Sequence, residues 1–185
     1  MAYFYFDFRD ENKKSRRSLV SSLLVQLSTC SDAFCDILSH LYVTHDNGAR
    51  QASDGDLIQC FKEMLALPDH GPIYLIIDAL DECPDTSGVP STRERVLDLV
   101  KDIVNLKLPG LRICVTSRPE VDICDALDPL TSQKVSLQNE RGQKNDIADY
   151  VRSVVYSGSG KCMRRWRQKD KEDVIKTLSK RADGM

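Results

Sequence analysis

Two short groups of polar residues, each following an apolar run, are the side chains in this sequence best suited to chemistry. The first group comprises three carboxylates, Asp78, Asp81 and Glu82, directly after the apolar residues 73–77. A carboxylate oxygen is a hard ligand that suits Mg²⁺, and a second acid nearby could polarise a water molecule for attack on a phosphate. Alternatively, the acids only end a strand and cap the next turn. This short pattern alone leaves both interpretations open.

The second group is Thr116, Ser117 and Arg118, which follows the apolar-rich residues 111–115. Because the carboxyl ends of neighbouring parallel strands meet at one edge of a sheet, we expect both groups at the same edge. Arg118 could there neutralise Asp81 or Glu82, or its planar fork of donors could reach a terminal phosphate. The two groups together indicate phosphate chemistry more specifically than either does alone.

The surrounding pattern predicts the elements that position these groups. Residues 73–77 show no polar alternation, which predicts a strand buried on both faces of a parallel sheet. Residues 2–8 predict an opening strand and residues 134–137 a weaker last strand. Helical spacing of apolar residues predicts helices at residues 15–27, 32–44, 53–65, 91–106, 121–127, 145–157 and 170–181.

This order of elements predicts the fold class α/β, a doubly wound parallel sheet with right-handed crossovers. Gly158, Ser159 and Gly160 indicate a linker. We therefore predict a domain over residues 1–157, followed at residues 158–185 by the linker and the start of a C-terminal helical appendage.

Composition and charge narrow the class of protein. Apolar residues make up 41% and charged residues 29%, which is typical of a folded chain. A formal charge of −2 provides no broad positive field, so we expect no nucleic-acid partner. Without an apolar span of membrane length or a basic leader, we expect no membrane partner and a cytoplasmic location. The seven scattered cysteines indicate reduced thiols.

Three segments resemble a known family. Residues 74–83, Tyr-Leu-Ile-Ile-Asp-Ala-Leu-Asp-Glu-Cys, look like the Walker B segment of NACHT-domain proteins, which are STAND-class P-loop NTPases. Residues 113–119 look like their sensor 1 strand. Residues 3–8 with 21–27 are similar to the strand and helix after the phosphate loop in the fungal, nephrocystin-like N-terminal branch. The resemblance covers nearly the whole chain.

The resemblance implies a nucleotide site with Mg²⁺ and ATP or GTP as cofactors. Arg118 would sense the γ-phosphate. The implied roles are as follows: Asp78 as the metal ligand, Asp81 and Glu82 as the catalytic acids, and Thr116, Ser117 and Arg118 as the cofactor-binding residues.

The phosphate-binding loop of that family, Gly-x-x-x-x-Gly-Lys-Ser/Thr, does not occur in the 185 residues. The glycines before Gly71 are Gly48 and Gly55, and neither is followed by lysine. The resemblance further implies a central strand between the sensor strand and residues 134–137, preceding the first residue. We therefore expect a fragment of the P-loop NTPase fold that lacks this strand and its Walker A loop.

For relatives with the loop, the resemblance implies nucleotide binding, slow hydrolysis and nucleotide-controlled self-assembly in signal transduction, as in NOD-like receptors. For this chain alone we expect little or no nucleotide affinity or enzymatic activity. Two alternatives remain open. One is a non-catalytic interaction module that self-associates or joins an intact paralogue that lends the missing strand. The other is a Mg²⁺-dependent phosphoryl hydrolase that uses Asp78 and Asp81.

Overall fold

A computed structural model of the chain describes residues 1–68, 71–85, 88–136, 141–157 and 166–181. The chain forms two compact units, Met1–Thr131 and Ser132–Met185. The residues of the first unit that the structure describes form three strands, which are β1 (Ala2–Tyr5), β2 (Ile73–Asp78) and β3 (Leu111–Val115). Its α-helices are α1 (Arg16–Ser28), α2 (Asp32–Thr44), α3 (Asp54–Ala66), α4 (Thr92–Asn105) and α5 (Val121–Leu127).

The three strands form one parallel sheet in the order β1, β2, β3. Tyr5 lies opposite Asp78, and Ile77 lies opposite Val115. The chain is therefore a mixed α/β protein with a parallel sheet, as the sequence predicts. This register brings the carboxyl ends of all three strands to one edge, where the acids after β2 and the hydroxyls after β3 emerge.

Serine caps set the start of three helices. The side chain of Ser15 accepts a hydrogen bond from the amide of Ser18 at the start of α1. Ser53 and Ser91 form reciprocal capping boxes at the starts of α3 and α4, which satisfy amides that a helix end otherwise leaves unpaired. The helices therefore begin within a residue or two of their predicted positions.

One face of the sheet packs against the helices in a single hydrophobic core. Alternate residues of β1 and β2, such as Phe4 and Leu75, point into it. The rings of Phe4 and Phe6 meet edge to face with centroids 5.0 Å apart. Leu23 of α1 and Phe61 of α3 are fully buried in the same core. Burial of such side chains supplies the main drive for folding.

The opposite face of the sheet is open within the described residues. Tyr3 is 55% exposed, Tyr5 44% and Tyr74 49%. The prediction that β2 is buried on both faces is therefore wrong for the described part of the chain, because burial alternates along the strand. An apolar run shows which residues tolerate burial, but it does not reveal whether a second layer covers them.

The described residues of the second unit form two α-helices, α6 (Arg141–Ser157) and α7 (Gln168–Arg181). Gln168 donates from Nε2 to the Tyr156 hydroxyl at 2.8 Å, and the Lys171 ammonium lies 5.2 Å from the Tyr156 ring centroid. Both helices match the predicted segments and begin a few residues earlier.

The predicted strand at residues 134–137 is not formed at 134–136, since these residues are exposed and Val135 enters no core. Leu137 and the proposed linker at residues 158–160 lie outside the described residues. Among the helices that are described, none has both the length and the apolar character that crossing a membrane requires.

Candidate functional site

The turn after β2 has a specific backbone conformation that presents its acids. Ala79 has φ 54° and ψ 47°, in the left-handed region that residues with a Cβ seldom adopt. The chain then forms a 3₁₀ helix at Leu80–Glu82, with Leu80 fully buried. The apolar anchor at Leu80 fixes the turn and leaves Asp78, Asp81 and Glu82 at the carboxyl edge of the sheet. Such strained conformations are frequent at functional sites.

Thr116 joins the ends of β2 and β3. Its hydroxyl donates to Asp78 Oδ1 and accepts from the Ala79 amide at 3.0 Å. Its carbonyl accepts from the Leu80 amide at 3.0 Å, while its amide donates to the Ile77 carbonyl at 2.9 Å. One residue after β3 therefore binds the end of β2 and the strained turn at the same time.

Arg118 pairs with Asp81. The Arg118 amide donates to Asp81 Oδ1 at 3.1 Å, and Nε lies 3.5 Å from Oδ2. The Asp81 side chain is only 13% exposed, whereas that of Arg118 is 80% exposed. The expected neutralising contact is therefore present. Asp81 contacts the guanidinium group of Arg118 at Nε and leaves most of the group at the surface, where a charged ligand could reach it.

Glu82 points away from Arg118, toward the end of β1. Its Oε2 accepts from the amide of Phe8 at 3.3 Å. Nearby, Asp7 accepts from the side chain and amide of Arg9, and these hydrogen bonds lower the pKa of the Asp7 carboxyl. An acid thus also follows β1, and sequence reasoning did not identify it because Asp7 lies within a predicted strand.

Arg93 supports the acidic turn from α4 and was also missed. Its Nη2 donates to the Asp81 carbonyl at 2.8 Å and its Nε to the Cys83 carbonyl at 3.0 Å. Its Nη1 lies 3.3 Å from Asp122 Oδ2 in α5. One guanidinium group thereby connects the turn to two helices. The sequence offers no distinct signal for this role, since α4 carries several charged residues in its first turns.

Four of the six predicted site residues come together: Asp78, Asp81, Thr116 and Arg118. Ser117 does not join them through its hydroxyl, which donates to the Arg118 carbonyl at 2.6 Å. Glu82 lies on the β1 side of the turn. The structure therefore brings the two groups of polar residues to one edge of the sheet. At that edge the two predicted catalytic acids are separated, since Asp81 contacts the chain after β3 and Glu82 contacts the chain after β1.

The carboxylates at this edge of the sheet suit a weakly bound hard cation better than a metal centre enclosed by protein ligands. No group of three or more histidine, cysteine, aspartate or glutamate side chains in the described parts of the chain is arranged to hold a metal ion. Mg²⁺ often uses only one or two carboxylates together with water and phosphate oxygens. Asp78, which is exposed at the strand end, fits that role as a single protein ligand.

The buried thiol beside the site is not a reactive group. Cys83 is fully buried, and burial raises the pKa of its thiol to about 12. The cysteines that the structure describes are all free thiols, as the scattered spacing predicts. The Cys83 thiol is therefore not expected to take part in chemistry at this edge of the sheet.

Comparison with known proteins identifies the family but gives no closer relative. No curated protein and no solved structure matches the chain. A family model described as nephrocystin 3, N-terminal, matches residues 1–118, which include the three strands, α1–α4 and Arg118. Since this match spans more than half of the sequence and includes all six predicted site residues, the chain belongs to the nephrocystin 3 N-terminal family.

Proposed function

We propose that this chain carries the metal-binding and γ-phosphate-sensing side of a NACHT-type nucleotide-binding module, within the STAND class of P-loop NTPases. The observation that supports it most is the Thr116 hydroxyl, which donates to Asp78 while Arg118, two residues later, pairs with Asp81. An acid-bearing strand end and a guanidinium-bearing strand end thus lie side by side. This is the arrangement that Walker B and sensor 1 segments require.

In this proposal each residue has a separate task. Asp78 is the residue that would hold Mg²⁺, which neutralises charge on phosphate oxygens when it is bound. Thr116 fixes the Asp78 carboxylate, so that one oxygen is occupied by a hydrogen bond. Asp81 positions Arg118, whose exposed guanidinium suits a phosphate contact. Glu82, held by the Phe8 amide, is the acid left to orient a water molecule.

The cation site can be tested without nucleotide. Mn²⁺ replaces Mg²⁺ at oxygen sites and broadens NMR signals of nearby nuclei. We expect millimolar Mn²⁺ to broaden the amide signals of Ala79 and Thr116 selectively, and Asp78→Asn to abolish this effect. Asp98→Asn, which removes an exposed acid from α4, is the matched control and should leave the pattern unchanged. Uniform broadening, or the same pattern in Asp78→Asn, would show that the proposed metal site is wrong.

Nucleotide binding has to be tested separately from cation binding. The 185 residues contain no Gly-x-x-x-x-Gly-Lys-Ser/Thr motif. That loop supplies the amides and the lysine that hold the phosphates. We therefore expect no micromolar binding when a fluorescent ATP analogue is titrated into this chain with Mg²⁺. Micromolar affinity that disappears in Asp78→Ala would contradict this expectation and would show that the 185 residues bind nucleotide on their own.

A non-catalytic interaction module is the second candidate, and one observation favours it. Tyr3, Tyr5 and Tyr74 are about half exposed on the open face of the sheet, and tyrosine is enriched in protein interfaces. In this case the acids and Arg118 would only stabilise the turn. Selective Mn²⁺ broadening around Asp78 would favour the nucleotide module, whereas its absence would favour the interaction module.

A further inference from the structure

A groove lies between α2 and α3, and none of the six predicted site residues lines it. Its volume is about 440 Å³, which is within the range of small-molecule sites. At one end, His45 Nε2 lies 3.2 Å from Asp56 Oδ2, and His45 Nδ1 lies 2.9 Å from the Leu41 carbonyl oxygen. Because the end of α2 thus contacts the start of α3, the two helices run in opposite directions along the groove.

The floor of the groove is apolar. Ile37 and Leu41 of α2 are partly buried there, and Cys60 of α3 is 4% exposed. Burial raises the pKa of the Cys60 thiol to about 11, so the thiol is uncharged at neutral pH. A ligand with an apolar middle is therefore stabilised by covering this surface.

The end of the groove beside His45 presents a positive group. The Arg50 amide donates to the His45 carbonyl at 3.1 Å, and Arg50 Nη2 donates to the Thr44 carbonyl at 3.1 Å. Within the described residues Arg50 forms no ion pair, so the rest of its guanidinium group can bind a carboxylate. The Asp56 carboxylate at this end already accepts from the Ser53 amide at 2.9 Å and from its hydroxyl at 2.7 Å. This end of the groove therefore favours an anion.

The other end of the groove presents a negative group. Glu63 lines it two helical turns beyond Asp56, which is about 10 Å along the axis of α3. Glu63 Oε1 accepts from Gln59 Nε2 at 2.8 Å, and no arginine or lysine in the described parts of the chain pairs with this carboxylate. This end therefore favours an ammonium group.

We propose that the groove binds a short peptide with free termini and apolar side chains, its carboxylate on Arg50 and its ammonium group on Glu63. Three extended residues span about 10 Å, which matches the separation of the two ends. The apolar side chains of the peptide cover Ile37, Leu41 and Cys60. The proposal does not depend on nucleotide or cation binding, because it uses none of the residues at the carboxyl edge of the sheet.

The tripeptide Leu-Ala-Leu with free termini is the probe, and its N-acetylated and C-amidated forms each lack one terminal charge. Titration into the isotopically labelled chain should give weak, saturable NMR shifts at the amides of Leu41 and Cys60. Each blocked peptide should bind about tenfold more weakly than the free peptide, as expected for the loss of one charged contact.

Two variants test which residue contacts which terminus. Arg50 and Glu63 are both exposed, so we expect circular dichroism to show that Arg50→Gln and Glu63→Gln fold. Arg50→Gln should bind the free and the C-amidated peptide equally, and should still discriminate against the N-acetylated peptide. Glu63→Gln should show the reverse pattern.

Lys62→Gln is the matched control, since Lys62 is the residue before Glu63 and pairs with Asp102 on α4. This variant should bind all three peptides as the wild-type chain does. Equal affinity of the wild-type chain for the three peptides, shifts that lie outside the groove, or the absence of saturable shifts would overturn the proposal.

Discussion

Arg93 shows how one side chain can maintain the acidic turn. Its guanidinium bonds two carbonyls of the turn and the Asp122 carboxylate, and the Arg93 side chain is 12% exposed. Replacing it with an apolar side chain leaves those carbonyls and the carboxylate without their donor. We therefore expect Arg93→Met to lower the free energy of unfolding in urea by about 2 to 4 kcal/mol.

The matched control for Arg93→Met is Arg95→Met, which alters an exposed arginine in the same helix. That change should fall within about 0.5 kcal/mol of the wild-type chain. Arg93→Lys, which keeps the charge but loses the planar fork, should be intermediate. Equal losses in Arg93→Met and Arg95→Met would show that the bonds to the turn contribute nothing to stability.

A second residue-scale prediction concerns Asp56 and pH. Hydrogen bonds from the Ser53 hydroxyl and amide, and then from His45, lower the pKa of the Asp56 carboxyl below 3.8. Because the folded state binds this proton less tightly than the unfolded state, the stabilisation is complete above the unfolded pKa. It is lost as the pH falls through the lower, folded-state value.

Thermal unfolding midpoints across the acid range test this linkage. Asp56→Asn should unfold at a lower temperature than the wild-type chain at neutral pH, and the difference should shrink as the pH falls below about 4. Asp36→Asn, which alters an exposed acid on α2, should show no such pH-dependent difference. A gap between Asp56→Asn and the wild-type chain that stays constant with pH would contradict the assignment.

At the scale of elements, the sequence predicts most helices and all three strands, because their signals are local. Ser53 with Asp56, and Ser91 with Glu94, mark helix starts that the structure confirms. The parallel sheet and its acid-bearing edge also follow from apolar runs separated by helices. The second unit agrees similarly, since α6 and α7 lie where helical spacing predicts them.

What the sequence does not reveal depends on residues that are distant in the chain. The open face of β2 could not be predicted, because Tyr74 and Ile76 suit either a buried or an exposed layer. Arg93 of α4 bonds carbonyls of the turn after β2, and Gln26 of α1 bonds the amide and carbonyl of Tyr3 in β1. Both sets of bonds join residues that are distant in sequence, and neither residue type marks such a role. Likewise, Glu82 and Asp81 are adjacent in sequence, but the 3₁₀ turn directs them to opposite sides.

The start of α3 provides an element-scale prediction. The Ser53 hydroxyl accepts from the Asp56 amide at 3.2 Å, whereas Ser31 at the start of α2 makes no side-chain cap bond. Ser53→Ala should therefore lower the free energy of unfolding by about 1 kcal/mol. Ser31→Ala is the matched control, and urea denaturation should show almost no change. If the two variants lose equal stability, the capping box is not what stabilises the start of α3.

At the scale of the whole molecule, the core is concentrated in one unit. Of the described residues that are apolar and buried, all except Val155 lie in Met1–Thr131. We therefore expect a polypeptide of residues 1–131 to fold alone and to unfold in a single cooperative urea transition. The slope of its unfolding free energy against urea concentration should match the surface that residues 1–131 alone bury, since that slope scales with the surface exposed on unfolding.

The matched comparison is a polypeptide of residues 132–185. Its described part has Val155 as the buried apolar residue, and short helices without tertiary packing are marginal in water. We expect its circular dichroism to show weak helicity that melts gradually and without a cooperative transition. A sharp transition in residues 132–185, together with a non-cooperative loss of structure in residues 1–131, would show that the stabilising core does not lie in residues 1–131. Burial of apolar side chains between β1–β3 and α1–α4 would then not explain why the chain folds.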